Sequence, residues 1–290
     1  MSYYLSLRFS TPVYLPRFTR FFTKRRHYAV KDHVVDYGNE NTGVYFRISY
    51  LKAPARSFLP VVNEVLVEVD YVRPTCFLVE AEIETSALLA RFPAKIHDPQ
   101  IGGMGDGPYS KQGFLDGWRD GNAFEIGEKL AAQPGAAVLT MPAQKLAQSW
   151  LWNFKLPRNS TSRTGHFTPR ILYALIAGNL VTAAVWGWNV DTLLPKVDYV
   201  LLSRWRGAAE NPQRIFRLMA WDQISRHLAA LGLAYHENSF AVDKAKNSPA
   251  LSRLFPVSAE FDFNNLHFVA LADILEAEHV QQAAEERAKS

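Results

Sequence analysis

The sequence has a single cysteine, Cys76, among its 290 residues. A disulfide within one chain and a cysteine-based zinc cluster are therefore both excluded. Apolar runs are short as well, because none approaches the roughly 18 residues that a membrane-spanning helix needs. The longest candidate, residues 171–188, is interrupted by Gly178-Asn179, which predicts two strands joined by a tight turn. These absences favour a reducing compartment, so we expect a cytoplasmic protein without a membrane span.

Acidic residues are missing from the first 31 positions, which contain seven lysines and arginines. Removing these seven from the 32 basic residues leaves 25 against 28 acids, so the remaining chain carries a net charge of −3. Three interpretations fit residues 1–27: a nucleic-acid or membrane-surface arm, a transit peptide, and a poorly ordered leader. We favour the poorly ordered basic leader, and predict that its removal leaves the fold intact.

Catalytic and cofactor motifs are also missing. The glycine-rich stretch 102–107 lacks the Gly-Lys-Ser/Thr end of a phosphate loop, and the following Pro108 has no N–H to donate. The histidines form no His-Glu-x-x-His pair, and the neighbours His97 and Asp98 supply too few ligands for a metal. No serine stands in a Gly-x-Ser-x-Gly motif, and Cys76 suits a small buried hydrophobe. We therefore expect no cofactor, no metal and no catalytic residue.

What the sequence does contain is a folded body, with 48% hydrophobic and 21% charged residues. Such a composition is typical of globular proteins. Residues 38–43 are rich in glycine and asparagine and predict a turn. Directly after them, Val44, Phe46 and Ile48 alternate with residues that suit a solvent-exposed face, as in a half-buried strand. A second alternating run follows at residues 64–72, so the body begins as a sheet.

The order of the predicted elements indicates an α+β fold with two units, each a mostly antiparallel sheet with packed helices. We expect an N-terminal unit at residues 28–154, a linker at 155–170 that is rich in Ser, Thr, Gly and Pro, and a C-terminal unit at 171–290. Within these units, residues 76–92 are expected to begin as a strand and to become helical near Thr85. Residues 214–233 are expected to form one amphipathic helix.

The most distinctive stretch is the glycine loop together with the helix predicted behind it. Ser110 suits a helix N-cap, after which large apolar residues recur at helical spacing and are expected in the core; these are Phe114, Leu115, Trp118 and Phe124. Loops on rigid scaffolds often carry binding function, and tyrosine is frequent at binding hot spots. The candidate partner-binding residues are Met104, Asp106 and Tyr109 on the loop, with Asp116 and Asp120 one helical turn apart on an exposed face.

Four motifs carry a resemblance to a known group of proteins. They are NENTGVYF at 39–46, GPYSKQGFLDGWRDGNAF at 107–124, WLWNF at 150–154 and LPKVDYVLLSR at 194–204. In this order they resemble a family of bacterial immunity proteins found beside polymorphic or type VI secreted toxins. The resemblance spans about residues 35–205. It implies a cytoplasmic protein that neutralises a cognate toxin by binding, and it supplies no role for any single residue.

The composition is compatible with a non-enzymatic inhibitor, because aromatic residues and arginine are enriched in interface cores. If the toxin is a basic nuclease, a mildly acidic body would steer the association. Two other classes stay open: a hydrolase with an unrecognised Asp, Glu and His site, and a nucleic-acid-associated protein that uses residues 1–27. We expect a cognate toxin as the partner, and do not expect nucleic acid.

Overall fold

The fold is α+β, as predicted, in a computed structural model that describes residues 1–53, 60–100, 102–133, 135, 137–156, 165–187, 189–206, 213–236, 238–261 and 266–289. Two compact units are present. Unit 1 comprises residues 1–147 and 271–290, and unit 2 comprises residues 148–270. No helix among the described residues combines the length and apolar character that crossing a bilayer requires.

The elements are numbered along the chain. The helices are α1 (Leu15–Thr23), α2 (Cys76–Arg91), α3 (Lys111–Ala132), α4 (Ala143–Phe154), α5 (Trp221–Ala230), α6 (Lys244–Val257) and α7 (Ala277–Lys289). The strands are β1 (Ser2–Tyr14), β2 (Tyr28–Lys31), β3 (Val34–Asn39), β4 (Val44–Ala53), β5 (Val61–Asp70), β6 (Ala94–Asp98), β7 (Gly105–Gly107), β8 (Thr140–Met141), β9 (Leu172–Ile176), β10 (Asn179–Gly187), β11 (Thr192–Pro195), β12 (Tyr199–Arg206), β13 (Gln213–Ala220), β14 (Tyr235–His236), β15 (Ser239–Val242), β16 (Ala259–Glu260), β17 (His267–Val269) and β18 (Leu275–Glu276).

Unit 1 is built on an antiparallel sheet with the order β2-β3-β4-β5-β1-β6-β7. The hairpin predicted around residues 38–43 is confirmed, since β3 pairs with β4 and Gly43 adopts a positive φ of 81°. One face of the sheet is apolar and packs against α1 and α2. The opposite face carries the polar side chains, and we call it the polar face. Cross-strand neighbours on the polar face include two ion pairs, one between Asp36 and Arg47 and the other between Arg8 and Glu64.

The N-terminal residues are part of this sheet, so the expectation of a poorly ordered leader at residues 1–27 is wrong. Strand β1 lies between β5 and β6, and its side chains Tyr3, Leu5 and Leu7 have no exposed surface. Helix α1 buries Phe18 and Phe22 completely. The basic residues face outwards or meet acids far along the chain, which is why the first 31 positions could look like a tail.

Helix α2 corrects a second expectation, because residues 76–91 form one helix with no initial strand. Its buried residues include Phe77, Leu78 and Leu88 together with the carboxylate of Glu80. A helix that is apolar on several sides has no clear 3.6-residue period, and a short apolar run then resembles a buried strand. Glu80 is satisfied by three donors from the β3–β4 hairpin: Tyr37 Oη at 2.6 Å, Asn39 Nδ2 at 2.6 Å and Thr42 Oγ1 at 3.3 Å.

The C-terminal segment also belongs to unit 1, so the predicted division at residues 155–170 is only partly right. Glu276, which is 5% exposed, accepts hydrogen bonds from the backbone N–H and the hydroxyl of Thr75 at the start of α2. Residues 157–164 of the predicted linker lie outside the described residues. On either side of them, Asn153 Nδ2 donates to the Ile171 carbonyl at 2.9 Å, and Ile171 N–H donates back to Asn153 Oδ1 at 2.8 Å.

Unit 2 has a sheet with the order β16-β13-β12-β10-β9-β17, in which β10 and β12 are parallel and the other pairs are antiparallel. The turn predicted at Gly178-Asn179 is confirmed, since Ala177 and Gly178 both have positive φ between β9 and β10. The single helix expected at 214–233 is wrong in its first half. Residues 213–220 form β13 along the full length of β12, and only α5 is helical.

Candidate functional site

The loop between β6 and α3 is organised by a buried carboxylate, Asp98. This side chain is 3% exposed and accepts hydrogen bonds from the Tyr3 hydroxyl, from Gln100 N–H at 3.1 Å and from Met104 N–H at 2.9 Å. Burial and the hydrogen bond to Asp98 both raise the pKa of Tyr3. Three donors on one carboxylate fix the path of the loop, which is therefore a rigid support for the residues that follow.

Glycine is required where the loop passes this carboxylate. A Cβ added at Gly103 would lie 2.4 Å from Asp98 Oδ2, and Gly102 has a φ of +81°. Close approach and positive φ are the two conditions under which glycine has no substitute. Residues 105–107 then pair with β6 as the edge strand β7. The glycines thus serve the loop's own geometry.

Two of the predicted loop residues are held within the fold. The Met104 sulfur accepts the Ser110 N–H at 3.2 Å, and the Met104 side chain lies against Gly113 in the first turn of α3. The Tyr109 hydroxyl donates to Glu82 Oε1 at 3.2 Å. Both side chains therefore support the start of α3, where Ser110 is the N-cap as predicted and accepts the Gly113 N–H at 3.1 Å.

Glu82 links this loop to α2. Its side chain is 4% exposed and also contacts Lys111 Nζ at 2.9 Å and the Ser86 hydroxyl at 2.6 Å. Burial by itself would raise the pKa of Glu82, but the hydrogen bonds from Ser86, Lys111 and Tyr109 outweigh it and lower the pKa. Replacing Tyr109 would therefore disturb a buried carboxylate, and Tyr109 is a poor choice for testing a surface.

Asp106 differs from Met104 and Tyr109, because its side chain is 78% exposed. It lies on the polar face of the sheet, and its Oδ1 is 2.8 Å from His97 Nδ1. His97 and Asp98 are neighbours on β6 and point to opposite faces of the sheet, so they do not form a joint metal site. Among the described residues, no three His, Cys, Asp or Glu side chains converge in a way that could hold a metal ion.

Helix α3 presents a second group of predicted residues together with one that the sequence reasoning misplaced. Asp116 and Asp120 are one turn apart, and Phe124, expected in the core, follows at the same spacing and is 64% exposed. Trp118 is completely buried, as predicted, and so is Phe114. A helix turns 100° per residue, so Phe124 lies 120° around the helix from Trp118 but only 40° from Asp120. Counting residues from Trp118 could have placed it correctly.

These three side chains, Asp116, Asp120 and Phe124, are called the α3 stripe below. Asp116 is 49% exposed and contacts Gln112 Nε2 at 2.7 Å and Arg119 at 3.6 Å. Asp120 meets the loop, because a Cβ added at Gly102 would lie 2.5 Å from Asp120 Oδ2. The loop and the stripe are therefore adjacent, and the stripe places an exposed aromatic ring beside two carboxylates on a supported helix.

The polar face also brings serine, histidine and aspartate into one row, which bears on the hydrolase alternative. Ser6 lies opposite His97, and His97 lies opposite Asp106, on three adjacent strands. However, Ser6 is 6% exposed and its hydroxyl donates to Glu64. A triad needs a hydrogen bond between the nucleophile and the histidine. The hydroxyl of Ser6 is directed elsewhere, so the row gives a nucleophilic mechanism little support.

Two further features could suggest chemistry. Burial raises the pKa of the Cys76 thiol, which disfavours the reactive thiolate. A cleft of about 290 Å³ lies beside the end of α3, and Val72, Leu130 and Val138 form part of its wall. Among the described residues that line it, the ionisable side chains are those of Lys129 and Asp273. Neither feature assembles an acid, a base and a nucleophile.

Comparisons with known protein families, with curated proteins and with solved structures found no match to this chain. The function of the protein is therefore inferred from the side chains described above.

Proposed function

We propose that this protein is a non-enzymatic immunity protein, which binds a cognate bacterial secreted toxin in the cytoplasm and neutralises it. The single observation that carries the proposal furthest is the α3 stripe, in which Phe124 is 64% exposed next to Asp116 and Asp120. A large apolar side chain beside carboxylates on an exposed helix face is costly to leave in water and gains energy when a partner covers it.

Charge indicates the kind of toxin. The α3 stripe offers two carboxylates, Asp116 and Asp120, and Asp106 is exposed on the polar face of the same unit. Acidic surfaces speed the association of a basic partner. A basic nuclease is such a partner, since it holds nucleic acid through lysines and arginines. Binding at the α3 stripe would neutralise the nuclease by covering those cations.

Rigidity supports the same proposal. The loop is fixed by Asp98 and its glycines, and the start of α3 is fixed by Glu82, Tyr109 and the Ser110 cap. A surface that is ordered before binding loses less conformational entropy in the complex. The buried loop residues thus contribute to recognition indirectly, by holding α3 in place.

The test uses the product of the reading frame beside this gene as the candidate toxin. We expect wild-type protein to bind it at one to one, and Phe124→Ala to weaken binding by about 2 kcal/mol, roughly 30-fold. Asp120→Lys should mainly slow association, and this effect should shrink as salt is raised. Glu285→Lys, which reverses an exposed acid on α7 outside the stripe, is the matched control and should bind normally.

Stoichiometry separates this proposal from an enzyme. A binding inhibitor suppresses toxin activity only when it is present in at least equal amounts. Suppression by a small fraction of one equivalent would indicate turnover and favour the hydrolase alternative. Unchanged affinity in folded Phe124→Ala and Asp120→Lys proteins would remove the α3 stripe from the interface.

A further inference from the structure

Unit 2 carries an exposed cluster of arginine and aromatic side chains that the proposed function does not use. At the outer end of the β12–β13 pair, Trp205 lies directly opposite Arg214, and Ser203 lies opposite Phe216. Side chains opposite each other in an antiparallel pair share a face. We call these four residues the Trp205 face.

The side chains of the Trp205 face are stacked. The Arg214 guanidinium lies 5.7 Å from the centre of the Trp205 ring and 5.3 Å from that of Phe216. Arg214 Nε also donates to the buried Ser203 hydroxyl at 2.8 Å. These contacts hold the guanidinium in one orientation between two rings. Trp205 nevertheless remains 63% exposed, so much of its ring is accessible to a ligand.

The other face of the same strands adds positive charge. Arg204 and Arg217 both lie over the Phe255 ring, at 4.6 Å and 5.3 Å from its centre. Neither β12 nor β13 contains an acidic residue, and residues 199–220 carry four arginines and one acid. This segment therefore has a net charge of +3.

We infer that the Trp205 face binds single-stranded nucleic acid, with a base stacked on Trp205 and a neighbouring phosphate held by Arg214. Proteins that bind single strands combine cations along the backbone with aromatic rings on which bases stack. The Trp205 face provides both groups side by side. Neither of the two strands carries an acid that would repel a polyphosphate.

This inference is independent of the proposed function, because it concerns different residues in the other unit. It also departs from the sequence-based expectation that nucleic acid is not a partner. That expectation considered only the basic residues 1–27, whereas the cluster on β12 and β13 forms only when residues 203–205 and 214–217 are paired in a sheet.

The test is fluorescence anisotropy of the full chain with a labelled oligothymidylate of about 20 nucleotides, longer than single-strand sites usually are. We expect binding at low salt that weakens as salt rises. Trp205→Ala should weaken binding by about tenfold, as expected for one lost base stack. Arg214→Gln should lower the slope of log K against log salt by about 0.7.

Two matched controls separate the Trp205 face from general attraction. Arg20→Gln removes one exposed positive charge from α1 and should leave binding unchanged if residues 1–27 are not the site. Phe268→Ala removes another exposed ring of unit 2, which is 49% exposed, and should also have no effect. Circular dichroism verifies that each variant is folded. If Trp205→Ala does not fold, Arg214→Gln tests the site in its place.

The inference is overturned by any of three results. The oligonucleotide does not bind at low salt, folded Trp205→Ala and Arg214→Gln bind like wild type, or Arg20→Gln weakens binding as much as Arg214→Gln does. The last result would assign the affinity to the basic N-terminal residues. Binding of an acidic protein instead of the oligonucleotide would likewise contradict it.

Discussion

The two sheets bury their strands differently. In unit 1, β1 alternates between fully buried Leu5 and Tyr4, which is 37% exposed, because one face of the sheet is polar. In unit 2, the consecutive residues Leu201 and Leu202 of β12 are both completely buried. A strand in a half-covered sheet can carry charges on alternate positions, whereas residues 200–203 of β12, which are buried on both faces, carry none, and arginine appears only at the outer end of that strand. A strand that is buried on both faces is therefore easier to recognise as apolar from its sequence.

The largest effect is expected from removing the strand that the charge pattern concealed. Deletion of residues 1–27 takes away β1 and α1, including the fully buried Leu5 and Phe18. Unit 1 should then lose its cooperative thermal unfolding, because Phe18→Ala by itself costs about 3–5 kcal/mol when a buried phenylalanine is lost. Thermal melting followed by circular dichroism measures both changes.

The exposed Arg20→Gln variant is the control for this deletion, since it changes the charge of α1 without opening the core. If the truncated protein melted like wild type, β1 would not be needed and residues 1–27 would be a dispensable leader after all.

Alanine substitutions at consecutive positions should have different effects in the two sheets. In unit 2, Leu201→Ala and Leu202→Ala should each cost about 2–5 kcal/mol of unfolding free energy, because both side chains are buried. In unit 1, Leu5→Ala should cost a similar amount, whereas exposed Tyr4→Ala should cost roughly 0.5 kcal/mol or less. Urea denaturation of the four variants gives these values, and equal losses at Tyr4 and Leu5 would contradict a half-covered sheet.

The smallest expected effect is a pair of opposite pH dependences. The hydrogen bond to Glu276, whose Oε2 lies 2.7 Å from His279 Nδ1, raises the pKa of His279 in unit 1. Burial lowers the pKa of His227 in unit 2, with a further contribution from Arg253. His279 therefore stabilises the fold at pH below its unfolded pKa of about 6.5, and this contribution is lost as the pH rises through the raised value. The contribution of His227 is complete above about pH 6.5 and is lost as the pH falls through its lowered value.

Melting temperatures between pH 5 and pH 8 test this pair. His279→Gln should lower the melting temperature more at pH 5 than at pH 8. His227→Gln should remove the decrease in stability that His227 causes as the pH falls. Parallel pH profiles for the two variants would show that the two histidines are not in opposite environments.

Features specified by neighbouring residues could be predicted from the sequence. The β3–β4 and β9–β10 hairpins follow from glycine and asparagine between alternating runs, and the start of α3 follows from Ser110. The exposed positions of Asp116 and Asp120 follow from helical spacing, as does the burial of Trp118. Phe124 could have been placed by the same arithmetic, and its misplacement reflects the weight given to its apolar character.

Other parts of the site could not be predicted, because they depend on residues far apart in the chain. Tyr109 and Asp98 are tied to Glu82 and Tyr3, which lie 27 and 95 residues away. No local sequence pattern predicts whether a polar side chain will form a hydrogen bond with a residue so far along the chain. Two of the five candidate residues, Met104 and Tyr109, therefore proved to hold the loop in place.

The α+β class, the tight turns and the Ser110 cap of α3 could be predicted from the sequence, since these depend on backbone preferences and side-chain periods over a few residues. Only the tertiary structure decided that β1 enters the sheet between β5 and β6, that residues 213–220 pair with β12, and that Glu276 returns to cap α2 from 201 residues away. The physical reason is that strand pairing and burial are set by partners that local sequence does not specify.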